Sequence, residues 1–570
     1  GSRLAWGIVG AAILLVIGPL LLNQDLPVGS DVFATAHYVQ GFMKAFGEGD
    51  WFPRWTDATN RFLGAPTFVM FPPLPWCGAS AAAWLTGSLV GGFKLYYVLV
   101  VVLAGLSFYA MARDWTGEPL PAAAGAALYL LLPYHEIDLY YRFALSETTA
   151  FVFFPLMLLF ARRCLRGGER KDFLGLTLAW AGLLCTHLVT SFLFALLFGP
   201  WLLWESRGRL RPLLRVAPAL LLGTGLAAPV LLPAALEKSY ANIQWVREMP
   251  AGDYRGNFIF LDDPLPRLGF KDPIKPLVLR AAHSQLFLGL LGCAMALGLL
   301  PAGERRKRGD VEMLLVAGLV VYFLQVRLSA PLWRLVPELP TVQFPWRFLT
   351  LSVLVAALAA ALALQAALHA PAGRKRSAFP WREAGMTAMA ILVAVNLFFA
   401  WRDAHTKPFR FNDEIAARPG VVDWVEPAFT PVQFKPYQDF RFANGARVEM
   451  KRVEFVKGSG QATVDDWKSS RRTFTLDSAE GGTVLVRSFF FPGWRGWLDG
   501  EPLELEASSP YGLVRFDVPP GRHVVELRFE ATPVRKAGAG IAVACLGITG
   551  VLAWWRFRPA SSPAEPDAGG

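Results

Sequence analysis

Apolar positions run along most of this 570-residue chain in blocks near 20 residues long, the length that crosses a hydrocarbon core of about 30 Å. Short clusters of Lys and Arg separate the blocks. Arg162, Arg163, Arg166, Arg170 and Lys171 form one; Arg207, Arg209, Arg211 and Arg215 a second; Arg305, Arg306, Lys307 and Arg308 a third; Arg374, Lys375, Arg376 and Arg382 a fourth. Basic loops stay on the cytoplasmic side, so these clusters predict topology. A first helix over Leu4–Leu22 is too long for the apolar core of a signal peptide and reads as retained. Further helices are expected near 92–112, 119–134, 147–163, 173–187, 188–204, 213–234, 284–302, 311–327, 346–369, 384–401 and 536–556. Alternating sides then places 24–91, 135–146, 235–283, 328–345 and 402–535 on the outer face. Because 24–91 must begin and end outside, the apolar stretch 76–90 is expected to be re-entrant or to lie along the interface. The result is a polytopic α-helical membrane protein of about twelve spans. It has a transmembrane domain over 1–401, a last helix over 536–556 and a disordered cytoplasmic tail over 557–570.

Two outer segments carry their own patterns. Within 24–91, Val32, Phe33, Ala36, Val39, Met43 and Phe46 recur at helical spacing and predict an amphipathic helix over 31–47, expected in the plane of the interface. The Pro- and Phe-rich segment 65–75 is expected to be non-helical. Over 402–535 the period changes to two. Alternating runs at Thr483–Phe489, Leu503–Leu505, Leu513–Val518 and His523–Phe529 are punctuated by turn chemistry at Asp499-Gly500 and Pro519-Pro520-Gly521. This predicts an antiparallel β-sandwich or jelly roll, held opposite the basic loops.

Composition agrees. Hydrophobic residues make up 54% of the chain and charged residues 18%, against about a quarter charged in soluble domains, and the mean hydropathy is +0.36. The net charge of +11 sits in the short clusters, a distribution that orients helices in lipid and excludes a nucleic-acid partner. Five cysteines, Cys77, Cys164, Cys185, Cys293 and Cys545, lie in or beside apolar runs. None falls within 402–535 and none has metal-ligand spacing.

Candidate chemistry gathers on the outer face: Asp31 and Arg54 in the first loop, Tyr141, Arg142 and Glu147 beside one another, His187 at a hairpin tip, and Gln343, Trp346 and Arg347 heading a helix. Arginine grips phosphate oxygens bidentately, a carboxylate takes a proton from an attacking hydroxyl, and aromatics stack on sugar rings. Each residue also has a structural reading. Asp31 suits a helix cap, Glu147 suits the positive end of a helix, the arginines can snorkel to lipid head groups, and His187 can close a tight turn. Trp494 and Trp497 could form a sugar platform or a sandwich core.

Asp31 just after the first helix, the amphipathic helix, Phe52-Pro53-Arg54-Trp55, Gly64-Ala65-Pro66-Thr67-Phe68 and the run from Phe71 to Trp76 together resemble the GT-C superfamily of membrane glycosyltransferases. Within it the chain is similar to a bacterial group labelled 6-pyruvoyl-tetrahydropterin synthase-related membrane proteins, through Tyr140–Glu147 and Gln343–Arg347 as well. Phe489–Gly500 and the later Pro519–Phe529 resemble the periplasmic module of YfhO-like proteins. In patches, the likeness covers about half the chain. It implies transfer of a sugar from a polyprenyl-phosphate carrier to a glycan, lipid or protein acceptor, with inversion, on the outer face of a bacterial inner membrane. Asp31 would then be the base, with Asp25 as competitor, and Glu147 a second acidic group. Arg54, Arg142, Arg347, His187 and Tyr141 would surround the lipid phosphate. Some GT-C enzymes use a divalent cation, Mg or Mn, which Asp31 and Glu147 would hold. Two other readings compete: a transporter or flippase of lipid-linked glycans, and a non-catalytic accessory protein of polysaccharide assembly. No convincing internal repeat favours the transporter.

Overall fold

The structure, a computed structural model, describes residues 1–57, 59–60, 62–242, 252–259, 274–370, 381–406, 408–417 and 451–554. The expected tail, residues 418–450 of the expected β-domain and the basic cluster at 374–376 lie outside the described residues.

Seven helices are long and apolar enough to cross a membrane: Ser2–Leu22, Leu89–Thr116, Leu145–Leu165, Leu188–Glu205, Pro276–Leu299, Pro345–Leu368 and Pro533–Trp554. Leu210–Leu226 and Ala228–Leu236, bent by 72° where they meet, form an eighth if counted as one span. Pro229 sits in the first turn after that bend, where proline interrupts the hydrogen-bond ladder. Four further helices occupy positions expected from the sequence. Pro119–Leu131 and Arg170–Leu184 are short, and Arg305–Phe323 and Trp381–Thr406 carry charged ends. The Ala-rich helix Leu349–Leu368 is buried on nearly every side. Its small side chains let Ile274–Leu299 approach closely, and a Cβ on Gly292 would meet the Ala359 carbonyl carbon at 2.9 Å.

Ionic clusters mark the two ends of this bundle. At one end, buried Arg162 stacks on Trp115 at 3.9 Å and pairs with Asp310 at 2.6 Å and Glu205 at 3.3 Å, and Arg166 and Arg306 join Glu205. At the other end, Glu147 pairs with Arg142. Glu147 and Arg162 lie on one helical line, about 22 Å apart at 1.5 Å per residue. Arg162, Arg166 and Arg306, from two of the basic clusters, are thus knitted to Glu205 and Asp310 from neighbouring helix ends.

Two segments differ from expectation. The Pro-rich segment 65–75 is partly helical, with a turn at Thr67–Met70 and a helix starting at Leu74. Proline is favoured in a first helical turn, where its missing N–H would be unpaired anyway. That helix, Leu74–Thr86, has 13 residues, about 20 Å of rise against a core of about 30 Å. Residues 135–142 form a helical turn and a π-helix, Ile137–Arg142, buried throughout, in place of the expected surface loop.

The β-domain is two antiparallel sheets. One has the order β3-β6-β10-β9: Val453–Gly458, Gly482–Phe489, Leu513–Val518 and Glu506–Ala507. The other runs β4-β5-β11-β7-β8: Gln461–Trp467, Arg471–Ser478, Gly521–Phe529, Trp494–Leu498 and Glu501–Leu503. The expected strand at 503–505 is instead two short strands, β8 and β9. Asp499 and Gly500, at φ 54° and 92°, close the β7–β8 hairpin, as their sequence predicts. Phe474, Leu476, Val525 and Leu527 of one sheet meet Val484, Val486 and Phe516 of the other in a common core.

The loop after the first helix completes that core. Trp55, fully buried, lies 5.3 Å from Trp494 and 4.9 Å from Phe529, and Phe489 N donates to Leu63 O. Ser469 N donates to the Glu48 carboxylate at 2.7 Å, and Asp57 accepts from Lys44 at 2.6 Å. Arg472, fully buried, is caged at 4.5 Å by both Trp467 and Trp494. Burial pushes its guanidinium down to about 10. Trp494 is thus core, and Trp497, three residues on, faces the other side of the strand beneath Arg528; the two cannot form one sugar platform. Trp55→Ala should remove about 3–5 kcal/mol, with Trp55→Phe retaining much of it. Thermal unfolding in detergent, together with faster proteolysis between residues 48 and 71, checks this.

Candidate active site

Asp31 precedes the helix Val32–Gly47 as its N-cap residue. The segment before it is tied to the rest of the chain by backbone. A short ladder pairs β1 (Leu26–Pro27) with β2 (Phe409–Phe411), Ser30 N donates to Tyr141 O at 3.0 Å, and Asp31 N donates to Arg142 O at 2.8 Å. This contact demands glycine at position 29. A Cβ there would stand 2.8 Å from the Arg142 carbonyl carbon and 2.9 Å from the Phe143 Cβ. Gly29→Ala is expected to push Asp31 off Arg142 and to destabilise the fold by about 1–3 kcal/mol, as overpacking does, read from thermal unfolding in detergent.

The π-helix brings Asp138 and Arg142 inward, and Phe143, at φ 61°, reverses the chain into the helix that carries Glu147. One nitrogen of Arg142 donates to Asp138 Oδ1 at 2.6 Å and to Glu147 Oε2 at 2.7 Å; its other terminal nitrogen stands 3.9 Å from Asp31 Oδ2. The guanidinium also lies 5.0 Å from the Trp346 ring. Glu147 is held further by Tyr134 Oη at 2.8 Å and Thr350 Oγ1 at 3.2 Å, with Arg347 Nε at 3.7 Å. His187 bonds Thr190 through Nδ1 and feels the charges of Glu147, Arg347 and Arg142.

The charges here balance in a telling way. Asp138 and Glu147 are matched by Arg142 and Arg347, and none of these four side chains is more than 13% exposed. Asp31 is the surplus carboxylate, and its side chain is 44% exposed. Its own hydrogen-bond donor is the Ser30 hydroxyl at 2.9 Å. A charge that is surplus, accessible and fixed by backbone at the mouth of a buried ionic cluster can accept a proton from a bound molecule.

Two of the expected residues lie differently. Arg54 makes its contacts away from this cluster: it donates to Phe68 O at 2.7 Å and to Pro229 O, and packs on Phe52. Burial first, then Arg535, pushes its guanidinium down to about 10. It therefore braces the first loop against the bent helix pair. Tyr141 is buried and meets the Asp31 segment through its carbonyl. Asp31 and Glu147 do not fit a shared divalent cation as arranged, because the Arg142 guanidinium occupies the space both would face. Among the described residues no group of three or more His, Cys, Asp or Glu side chains forms a metal site. Sequence reasoning passed over Gly29, Tyr134 and Thr350. Of these, only Thr350, three residues after Arg347 on one helical face, carried a spacing signal.

Solved structures similar to the chain include arabinofuranosyltransferase AftD from mycobacteria, at 14% identity and TM-score 0.41, covering 70% of this chain and 28% of that one. Others are ArnT from Cupriavidus metallidurans in the apo state, at 15% identity and TM-score 0.31, and ArnT bound to undecaprenyl phosphate, at 13% and 0.30. Each of the two covers 64% of this chain and 78% of the ArnT chain. The chain thus spans just over a quarter of the AftD chain. No curated protein matches it. The model of a membrane-protein family, described as 6-pyruvoyl-tetrahydropterin synthase related domain, matches residues 68–404. That is more than half of the chain and takes in Asp138, Arg142, Glu147 and Arg347. The chain belongs to the 6-pyruvoyl-tetrahydropterin synthase related family of membrane proteins.

Proposed function

We propose that the protein is an inverting glycosyltransferase of the GT-C type, moving a sugar from a polyprenyl-phosphate carrier to an acceptor hydroxyl. Its site faces the outer side of a bacterial inner membrane, on a twelve-span bundle ordered by the basic clusters. The observation that carries this reading is the surplus, half-exposed Asp31 bridged through Arg142 to a buried, charge-balanced quartet. Asp31 takes the acceptor hydroxyl's proton as that oxygen bonds to the anomeric carbon from the face opposite the phosphate. The carbon–oxygen bond to the phosphate breaks, and its electron pair leaves on the lipid phosphate. Arg142 and Arg347 stabilise the charge that grows there. Asp138 and Glu147 hold both guanidiniums in place beforehand, so little reorganisation accompanies the step. His187 and Tyr141 line the same region in positioning roles.

The experiment is a transfer assay on the full-length protein in lipid nanodiscs, with polyprenyl-phosphate-linked sugars as donors, comparing wild type with Asp31→Asn. Release of polyprenyl phosphate by wild type and its loss in the variant is the expected result. Equal release by both overturns the reading.

A further inference from the structure

The helix that Asp31 opens is held along its length by the C-terminal part of the chain. Beside its start, Val28 N donates to Pro408 O at 3.1 Å, and Leu26 pairs with Phe411 in the β1–β2 ladder. The Phe33 ring meets Phe411 edge-on at 5.2 Å. Phe411 is 1% exposed and belongs to the same core as Val32 and Ala36 of the helix. Midway, Gln40 Nε2 donates to Ala416 O at 3.3 Å. At the far end, Glu48, the C-cap residue, accepts from Ser469 N at 2.7 Å. Asp57, paired with Lys44 at 2.6 Å, accepts from Ser469 Oγ at 3.3 Å. Ser469 lies in the turn between β4 and β5 of the β-domain.

Both grips have a fixed reference. The segment after Phe411 is tied to the head of a span, because Ser88 Oγ and Val90 N donate to the two Asp413 oxygens at 2.5 and 3.0 Å. The β-domain side of the far clamp carries fully buried Arg472. Its guanidinium has no hydrogen-bond partner among the described residues, and the first opposite charge to reach it is Asp57. A buried cation holds the domain against the loop that compensates it. The helix between the grips has 16 residues and is a rod about 24 Å long. A rod pinned only where Asp31 N meets Arg142 O could pivot there; a second hold at Glu48 fixes its direction. Direction matters because the Asp31 side chain makes no capping bond, so the backbone of this helix aims it.

We infer that the β-domain, with the strand Phe409–Phe411 that precedes it, is the positioning element for Asp31, and that Phe411 and Glu48 are its positioning residues. This rests on the transferase reading for the role of Asp31 as base. The hold on the helix does not depend on that reading. A displacement of about 1 Å at a reacting group costs up to about 10²-fold in rate, so small losses of grip at either end should register in kcat.

The test uses the full-length protein in nanodiscs and reads two quantities: transfer kinetics, and amide hydrogen exchange of peptides spanning residues 26–36. Phe411→Ala and Glu48→Ala are each expected to lower kcat by about 10–100-fold with donor KM little changed. Both should also speed exchange at Ser30 and Asp31, whose N–H groups bond Tyr141 O and Arg142 O. Glu48→Gln, whose amide oxygen still accepts from Ser469 N, and Phe411→Leu, which fills much of the same space, should return most of both. Val484→Ala, in the sandwich core away from the clamp, should lower the unfolding temperature and leave kcat and this exchange as in wild type. Should Phe411→Ala not fold, Glu48→Ala decides the matter, since that side chain is 20% exposed. The exchange arm needs neither donor nor acceptor, so failure of the transferase reading shows in the kinetics alone. Wild-type exchange in the Ala variants overturns the inference, as does an equal rise in Val484→Ala. So does an unchanged kcat in Glu48→Ala where Asp31→Asn abolishes transfer.

Discussion

Asp31→Asn should lower kcat about 10²–10⁴-fold, the usual contribution of a positioned general base, while the protein folds and expresses as before. The separation of activity from stability follows from the site. Asn serves as an N-cap as well as Asp does, the Asp31 side chain makes no capping bond of its own, and the position is held by backbone to Arg142 O. The substitution removes a charge that no buried cation requires, because Asp138 and Glu147 already neutralise Arg142 and Arg347. Donor KM should move little. Asp31→Glu, which carries the carboxylate about one bond further, should recover only part of the rate. An Asn variant within a few-fold of wild type would leave Asp31 as a cap and nothing more.

Much of this architecture can be read from local pattern, and the remainder could not be. The apolar blocks, the helix after Asp31 and the Asp499-Gly500 hairpin are set by periodicity and turn chemistry over a few residues, which a sequence displays directly. Trp55 is different. Phe52-Pro53-Arg54-Trp55 reads as part of the loop after the first helix, yet Trp55 packs against Trp494 and Phe529, more than 400 positions away. Nothing in either segment announces that pairing, and the same holds for the carbonyl partners of Arg54. The Tyr140–Glu147 segment showed its polar residues but concealed their burial. Charged side chains read as solvated unless their partners are seen, and here the partners are supplied by a π-helix whose register aims Asp138 and Arg142 at one point.

Glu147→Gln is the substitution that should damage both stability and chemistry. Its carboxylate, 2% exposed, takes bonds from Arg142, Tyr134 and Thr350 and stands 3.7 Å from Arg347. Removing one partner of a buried ion pair costs about 3–5 kcal/mol, because the remaining charge is left uncompensated in a low-dielectric site. In Glu147→Gln two guanidiniums are left to share Asp138. Thermal unfolding in detergent should show the loss. Adding Arg347→Gln should return part of it, since the cost belongs to the surplus charge and neighbouring effects do not add. Kinetics should move in a characteristic direction. With Glu147 neutral, one compensating carboxylate fewer faces the arginines before any leaving group develops, so they bind the donor phosphate more tightly in the ground state and hold polyprenyl phosphate after transfer. Stabilising substrate as much as transition state does not accelerate the step, so KM for the donor should fall together with kcat. A Glu147→Gln protein as stable as wild type, with KM and kcat unchanged, would show that the buried quartet neither supports the fold at this point nor tunes the grip on phosphate.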